Sequence, residues 1–368
     1  MINIIGNFFG SSGYDSHTRN LARALNKVTE VRITTGGVPN WERMVDDEEL
    51  KLLKSPPIED EINLIITNPL HWRLNTNAKR NWVYLIWEGD KVPKCFIEEC
   101  MNPDIEYIFV PSKHTMDALY NTPFRESSSS STYINTHLCG DIENLRKKIK
   151  LIPHGVDLEL FYPKEKPKKC TFLANKGFRN LQDRGGIQYL INAYFEEFTD
   201  KDDVELILKL NPAYGIPDLN KLITKISPRT VNLPKLIINT NNINYRNMVD
   251  LYNSANVFIS PTRAEAYNLP CIEAMACGLP VITTNYGGQT DFVNKTNGLF
   301  IDYKLEEIKH EVMYEGIKWA TPDINSLRKE LRYVYDNPLI IEQMGKEALQ
   351  TAKDNTWNKT AIKISKLI

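Results

Sequence analysis

The sequence is short of the features that mark several large protein classes. Its six cysteines (Cys95, Cys100, Cys139, Cys170, Cys271 and Cys277) form no CxxC pair and no metal-ligand spacing. In a chain of 368 residues that argues against a disulfide framework and for scattered intracellular thiols. No stretch approaches the ~20 apolar residues a membrane span requires. The start, MINIIGNFFG, lacks the basic region and long apolar run of a signal peptide. A cytoplasmic protein is expected, one that meets a membrane only peripherally, at its inner surface. The net charge is -1, so nothing in the charge balance points to nucleic acid. The histidines (17, 71, 114, 137, 154, 310) show no HExxH or similar pair, so neither a metal nor a cofactor is expected.

What is present fits an ordinary globular chain, 42% hydrophobic and 25% charged. Its length favours two domains over one core. Continuous apolar runs such as EINLIIT (61–67), WVYLIW (82–87), VELILKL (204–210), VFIS (257–260) and VITT (281–284) read as buried strands. They alternate with segments of helical spacing, the pattern of parallel sheets covered on both faces. The expected fold is therefore α/β, with two similar domains across a ligand cleft. A Pro/Lys-rich segment after Pro153-His154-Gly155 suggests the boundary. The expected division is 1–160, 161–345 and a terminal helix, 346–368, packing back on the first domain. The serine-rich stretch within 121–143 reads as a mobile surface loop.

The most informative segment is RAEAYNLPCIEAMACGLPV, from Arg263 to Val281. Pro270 suits the first turn of a helix, Gly278 its C-terminal cap, and Pro280 stops continuation. Ile272, Met275, Ala276 and Leu279 form a core stripe. Glu273 lies about 110° from the stripe's centre at 100° per residue, which places it at the rim. Glu265 precedes the helix, on a loop leaving the carboxyl end of a strand, the edge where open parallel sheets bind ligands. The amides around Tyr267, Asn268 and Leu269 point out of the helix start and favour an anion. Asn268 is expected to supply a capping side chain and to tolerate a left-handed backbone. From residues alone two readings stand: a ligand site, or an acid placed in a first turn for its dipole, worth up to about 1 kcal/mol.

This E-x7-E arrangement resembles the donor-binding signature of glycosyltransferase family 4, retaining enzymes of the GT-B fold. FVPSKHTMDAL (109–119), KLIPHGVDLELFYP (150–163), LYNSANVFISPTRAEA (251–266) and TNGLFID (296–302) extend the resemblance over most of the chain. It implies transfer of a hexose from a UDP- or GDP-sugar to a hydroxyl on a glycan, polysaccharide or lipid carrier. Glu273 would bind the ribose hydroxyls. Glu265 would orient the sugar at the reacting carbon, and the backbone from Ala266 to Leu269 would hold sugar hydroxyls or the distal phosphate. Arg179 and Arg184 stand for the family's basic pair against the pyrophosphate, with Lys176 in reserve. The family commonly has glycine where Ala266 and Asn268 stand. Gly13 and Tyr14 in the first glycine-rich loop, His71 and Glu88 are acceptor-side candidates.

Two charged stretches read as solvent-facing: Asp200-Lys201-Asp202 as a turn at the wrong sheet edge for a metal motif, and Lys164, Lys166, Lys168 and Lys169 as a linker. The alternatives are a sugar-nucleotide epimerase of similar fold and a non-catalytic nucleotide-sugar binding module. A nicotinamide oxidoreductase should show GxGxxG after a strand, which this sequence lacks.

Overall fold

The computed structural model describes residues 1–10, 12–35, 45, 47–53, 62–72, 74, 78–122, 138–178, 183–211, 218–227, 229, 231–309 and 314–368. They divide into two compact units. The first is Met1–His154 with Glu311–Lys318 and Thr360–Ile368; the second is Gly155–His310 with Trp319–Lys359. The division thus falls inside Pro153-His154-Gly155, and the Pro/Lys-rich segment belongs to the second unit. Most of the serine-rich stretch lies outside the described residues.

In the first unit the helices are α1 (Gly13–Leu25), α2 (Asp47–Leu50), α3 (Lys94–Cys100), α4 (Lys113–Asn121) and α5 (Leu138–Lys148). Its strands are β1 (Ile2–Gly6), β2 (Val31–Thr34), β3 (Ile62–Ile66), β4 (Arg80–Tyr84), β5 (Ile105–Val110) and β6 (Ile149–Leu151). The sheet is parallel, in the order β2-β1-β3-β4-β5-β6. The apolar runs of β3 and β4 are buried, the pattern of inner strands in a parallel sheet.

The second unit contains β7 (Cys170–Lys176), α6 (Ile187–Glu197), β8 (Val204–Leu210), α7 (Leu219–Ile226) and β9 (Lys235–Asn239). It continues with α8 (Met248–Asn253), β10 (Val257–Ser260), α9 (Leu269–Ala276), β11 (Val281–Thr284) and β12 (Gly298–Ile301). β13 (Tyr303–Glu307) and β14 (Lys318–Pro322) form a separate two-stranded sheet, and α10 (Ile324–Asp336), α11 (Pro338–Asp354) and α12 (Trp357–Ser365) follow. The main sheet is again parallel, ordered β12-β11-β10-β7-β8-β9. The strand order reverses between β7 and β10, creating a topological switch point of the kind that binds ligands at the carboxyl edge.

Two cores sandwich this sheet. On one face Ile272, Met275, Ala276 and Leu279, the stripe read from sequence, are fully buried together with Ala348 and Ala352 of α11. On the other, α6 and α10 bury Leu190, Tyr194, Leu327 and Leu331. Each such large apolar side chain contributes about 1.5–3 kcal/mol on burial, which makes the sheet edge a rigid support for its loops.

Neither charged stretch is simply solvated. Asp202 accepts hydrogen bonds from Thr199 N and Oγ1 at 2.8 and 3.0 Å and pairs with Arg332 at 3.3 Å. Lys166 is half-buried with its Nζ 2.7 Å from Asn253 Oδ1, and burial pushes its pKa down to about 8. Asn253 also accepts from Lys164 N at 2.7 Å, tying the would-be linker to the second unit.

Candidate functional site

The switch point of the second unit gathers most of the residues picked out by the sequence. Lys176 is the last residue of β7, and the loop after β10 carries Glu265. Lys176 Nζ lies 3.0 Å from Glu265 Oε1 and 3.3 Å from Asn268 Oδ1. Thr262 Oγ1 donates to the same Glu265 oxygen at 3.1 Å. Arg184 Nη1 stands 3.7 Å from Oε2 and donates to the Ala264 carbonyl at 3.2 Å. Burial alone would raise the Glu265 carboxyl; the charges of Lys176 and Arg184 outweigh it and hold the pKa below the ordinary value. Lys176, a reserve in the sequence reading, is therefore the nearest cation to Glu265 among the described residues. Arg179 lies outside them.

The loop is locked in place by backbone contacts. Arg263 N donates to the Arg184 carbonyl at 2.8 Å, and Thr262 Oγ1 lies 3.1 Å from the same oxygen. Gly186 makes this possible: its φ is +76°, and a Cβ there would lie 1.7 Å from the Pro261 carbonyl oxygen. Gly288 N donates to Glu265 O at 2.8 Å, and a Cβ at Gly288 would lie 2.0 Å from Ala266 O.

Asn268 is left-handed, at φ 77° and ψ 66°, but makes no side-chain cap. Capping needs an extended backbone that turns the side chain over the helix amides. The left-handed turn points it elsewhere: Nδ2 donates to Ser260 Oγ at 2.9 Å while Oδ1 accepts from Lys176. Ala266 is not among the residues of positive φ, so alanine fits where the resembled family has glycine. The Tyr267 side chain is core, packed on Phe292 with ring centroids 5.0 Å apart. Leu269 begins α9 and is half-buried.

Glu273, expected at the rim, is 5% exposed. It escapes the apolar stripe because two phenols meet it: Tyr245 donates to Oε1 and Tyr252 to Oε2, each at 2.7 Å. Burial raises its pKa, opposed by the hydrogen bonds from Tyr252 and Tyr245. The sequence reading missed both tyrosines, as well as Thr262, Ser260 and Asp183. Thr262 could have been found, since a hydroxyl three residues ahead of Glu265 is a local partner; the tyrosines reach Glu273 only through tertiary folding.

The first unit places its candidates just beyond the ends of β1, β3 and β4. The first loop is braced from α1: Asp15 accepts from Gly10 N at 2.8 Å, and Arg19 donates to the Phe8 and Gly10 carbonyls at 2.5 and 2.8 Å. Gly13, exposed, is the first residue of α1, and Tyr14 follows, half-buried. His71 is exposed at the end of a short 3-10 turn behind β3. Glu88 accepts a long hydrogen bond from Tyr314 OH at 3.4 Å, and His114 Nε2 donates to its carbonyl at 2.9 Å. Among the described residues no group of three or more potential ligands could hold a metal ion, and no helix is long and apolar enough to cross a membrane.

Two parallel six-stranded sheets, each with a switch-point edge, define the GT-B type of fold. A solved glycosyltransferase from Rickettsia africae ESF-5 shares it with a TM-score of 0.67 and 15% identity, over 100% of this chain and 97% of that one. Sucrose-phosphate synthase from Thermosynechococcus elongatus does so at 0.66 and 15%, again over 100% and 97%. Residues 215–350, most of them in the second unit, match the family described as "Glycosyl transferases group 1". A D-inositol 3-phosphate glycosyltransferase of Arthrobacter sp. (strain FB24) is 26% identical over 58% of this chain and 48% of its own. The chain spans about half the length of the curated relatives it matches.

Proposed function

We propose that the protein is a retaining, metal-independent glycosyltransferase of family 4 that moves a hexose from a UDP- or GDP-sugar to an acceptor hydroxyl. The acceptor class is a glycan, a polysaccharide or a lipid carrier, the last reached by peripheral contact with a membrane. The observation that carries this reading is the division of labour within E-x7-E. Among the described residues Glu265 is held by two cations and a hydroxyl, whereas Glu273 is held by two phenol hydroxyls and no cation, on either side of one left-handed turn at the switch point.

In this reading Glu273 takes the ribose hydroxyls, and the backbone from Ala266 to Leu269 takes the sugar or the distal phosphate. Lys176 and Arg184, with Arg179, face the diphosphate. Fixed cations aimed at charge that grows on a leaving group are among the largest single catalytic terms. The acceptor oxygen attacks the anomeric carbon on the face the diphosphate leaves; that C–O bond breaks, and the acceptor's proton passes to the departing diphosphate. Glu265 orients the sugar through this step. Gly13, Tyr14 and Glu88 are the acceptor-side contacts, and exposed His71 is the weakest member of that set.

Thermal-shift measurements with UDP, GDP, their hexose derivatives and NAD test this. Stabilisation by one nucleoside diphosphate and its sugars is expected. A response to NAD alone would contradict it.

A further inference from the structure

Glu273 is enclosed by an arrangement that goes beyond keeping a buried acid satisfied. Its two phenol partners come from one short stretch: Tyr252 on α8 and Tyr245 in the 3-10 turn just before it. Each takes a different carboxylate oxygen at 2.7 Å. Asn175 Nδ2 donates to the Tyr252 oxygen at 3.4 Å, which leaves the phenol proton directed at Glu273. Phe161 packs edge-on against both rings, with centroids 5.3 Å from Tyr245 and 5.8 Å from Tyr252. Tyr252 is fully buried, so its position is set by the core.

A purely structural role fits this poorly. A buried carboxylate without a cation is expensive, and Glu273 makes no ion pair among the described residues. An apolar residue, or a neutral amide, would fill the space at lower cost. An ionised carboxylate has about four acceptor sites; among the described residues the two phenols occupy one on each oxygen and leave one on each. That remaining pair matches two adjacent hydroxyl donors.

We propose that Tyr252 and Tyr245 are positioning residues for recognition of a vicinal diol, the donor ribose, each fixing one oxygen of Glu273 so that its free lone pair meets one hydroxyl. This rests on the reading of Glu273 as the ribose-binding carboxylate. Loss of either phenol lets the carboxylate rotate and weakens binding of the ribose form specifically. It leaves contacts to base and phosphates in place.

The test is calorimetric titration of the intact chain with UDP, GDP and the 2′-deoxy analogue of each. Wild type, Tyr252→Phe, Tyr245→Phe and Glu273→Gln are compared. Wild type is expected to prefer the ribose form by about tenfold or more, the worth of one good hydrogen bond to a charged group. Each phenylalanine variant should lose most of that preference while its affinity for the deoxy form stays within about twofold of wild type. Half-buried Tyr245 supplies the test if Tyr252→Phe fails to fold. If the phenylalanine variants keep the preference, or lose affinity equally for both forms, while Glu273→Gln abolishes it, the phenols are structural and the inference fails alone. If Glu273→Gln keeps the preference, or neither diphosphate binds wild type, the ribose reading of Glu273 fails with it.

Discussion

Lys176 Nζ sits 3.0 Å from Glu265 Oε1, with side chains only 5% and 19% exposed. Breaking a buried pair from one side costs up to about 3–5 kcal/mol, whereas removing both charges can be nearly neutral; half-exposed Arg184, 3.7 Å away, offsets only part of the charge left on Glu265. Lys176→Met is therefore expected to lower the melting temperature strongly. Lys176→Met combined with Glu265→Gln should recover most of the loss yet remain inactive. Additive destabilisation in the double variant would show that the two residues are not coupled.

Arg184 behaves differently because its side chain is 41% exposed. An exposed ion pair contributes at most about 1 kcal/mol to stability. Arg184→Ala should barely move melting while reducing turnover by about 10²-fold or more, the range for loss of one charge-stabilising donor. A large melting shift with turnover per folded molecule intact would make Arg184 a structural residue.

Gly186 holds the Arg184 turn against Pro261. Gly186→Ala must move that turn, because the added carbon meets backbone that cannot yield, and the left-handed conformation itself costs roughly 1–2 kcal/mol. Loss of both stability and donor binding is expected, read by melting and by titration with the nucleoside diphosphate. Unchanged binding would show that the 261–265 loop tolerates displacement.

Asp183 lies beside Arg184, 1% exposed and at φ 40°. Its Oδ2 accepts from Gln188 N at 2.6 Å. Burial pushes its pKa from 3.8 up to about 6, despite backbone hydrogen bonds at the start of α6 and the charge of Arg263. Folding therefore favours the protonated form. This contribution to stability is full below pH ~4 and is lost as pH rises through about 6, a difference of roughly 3 kcal/mol. Asp183→Asn, which keeps an acceptor and tolerates the backbone, should flatten the stability profile between those limits. Chemical denaturation across that interval checks it; an unchanged slope would contradict the assignment.

The fold was largely legible because the second unit's strands are short, mostly apolar runs. VELILKL, VFIS and VITT occupy the very positions of β8, β10 and β11. The start and end of α9 were equally plain from Pro270 and Gly278, since both act through their own backbone. β2 escaped notice because VRIT is short and buries Arg32. From spacing alone the site was legible only where its partners are local; the resemblance added Lys176 and Arg184, which fold in from far along the chain. Glu265 and Glu273 stood out by spacing. The cation on Glu265 comes from a strand end 89 residues earlier, and the phenols on Glu273 from 21 and 28 residues earlier. Asn268 does stand at the start of α9 with the left-handed backbone expected of it, but its side chain makes no cap, because that backbone and a capping geometry exclude each other.

Retaining transfer from a nucleotide-sugar fixes the configuration of the sugar released. Proton NMR of the intact chain incubated with UDP-glucose or GDP-mannose tests it most directly, following donor loss and the anomer first released to water. Slow release of nucleoside diphosphate is expected, together with a sugar that keeps the donor's anomeric configuration, both abolished by Glu273→Ala. Release of the opposite anomer, or donor consumption that survives Glu273→Ala, would contradict it.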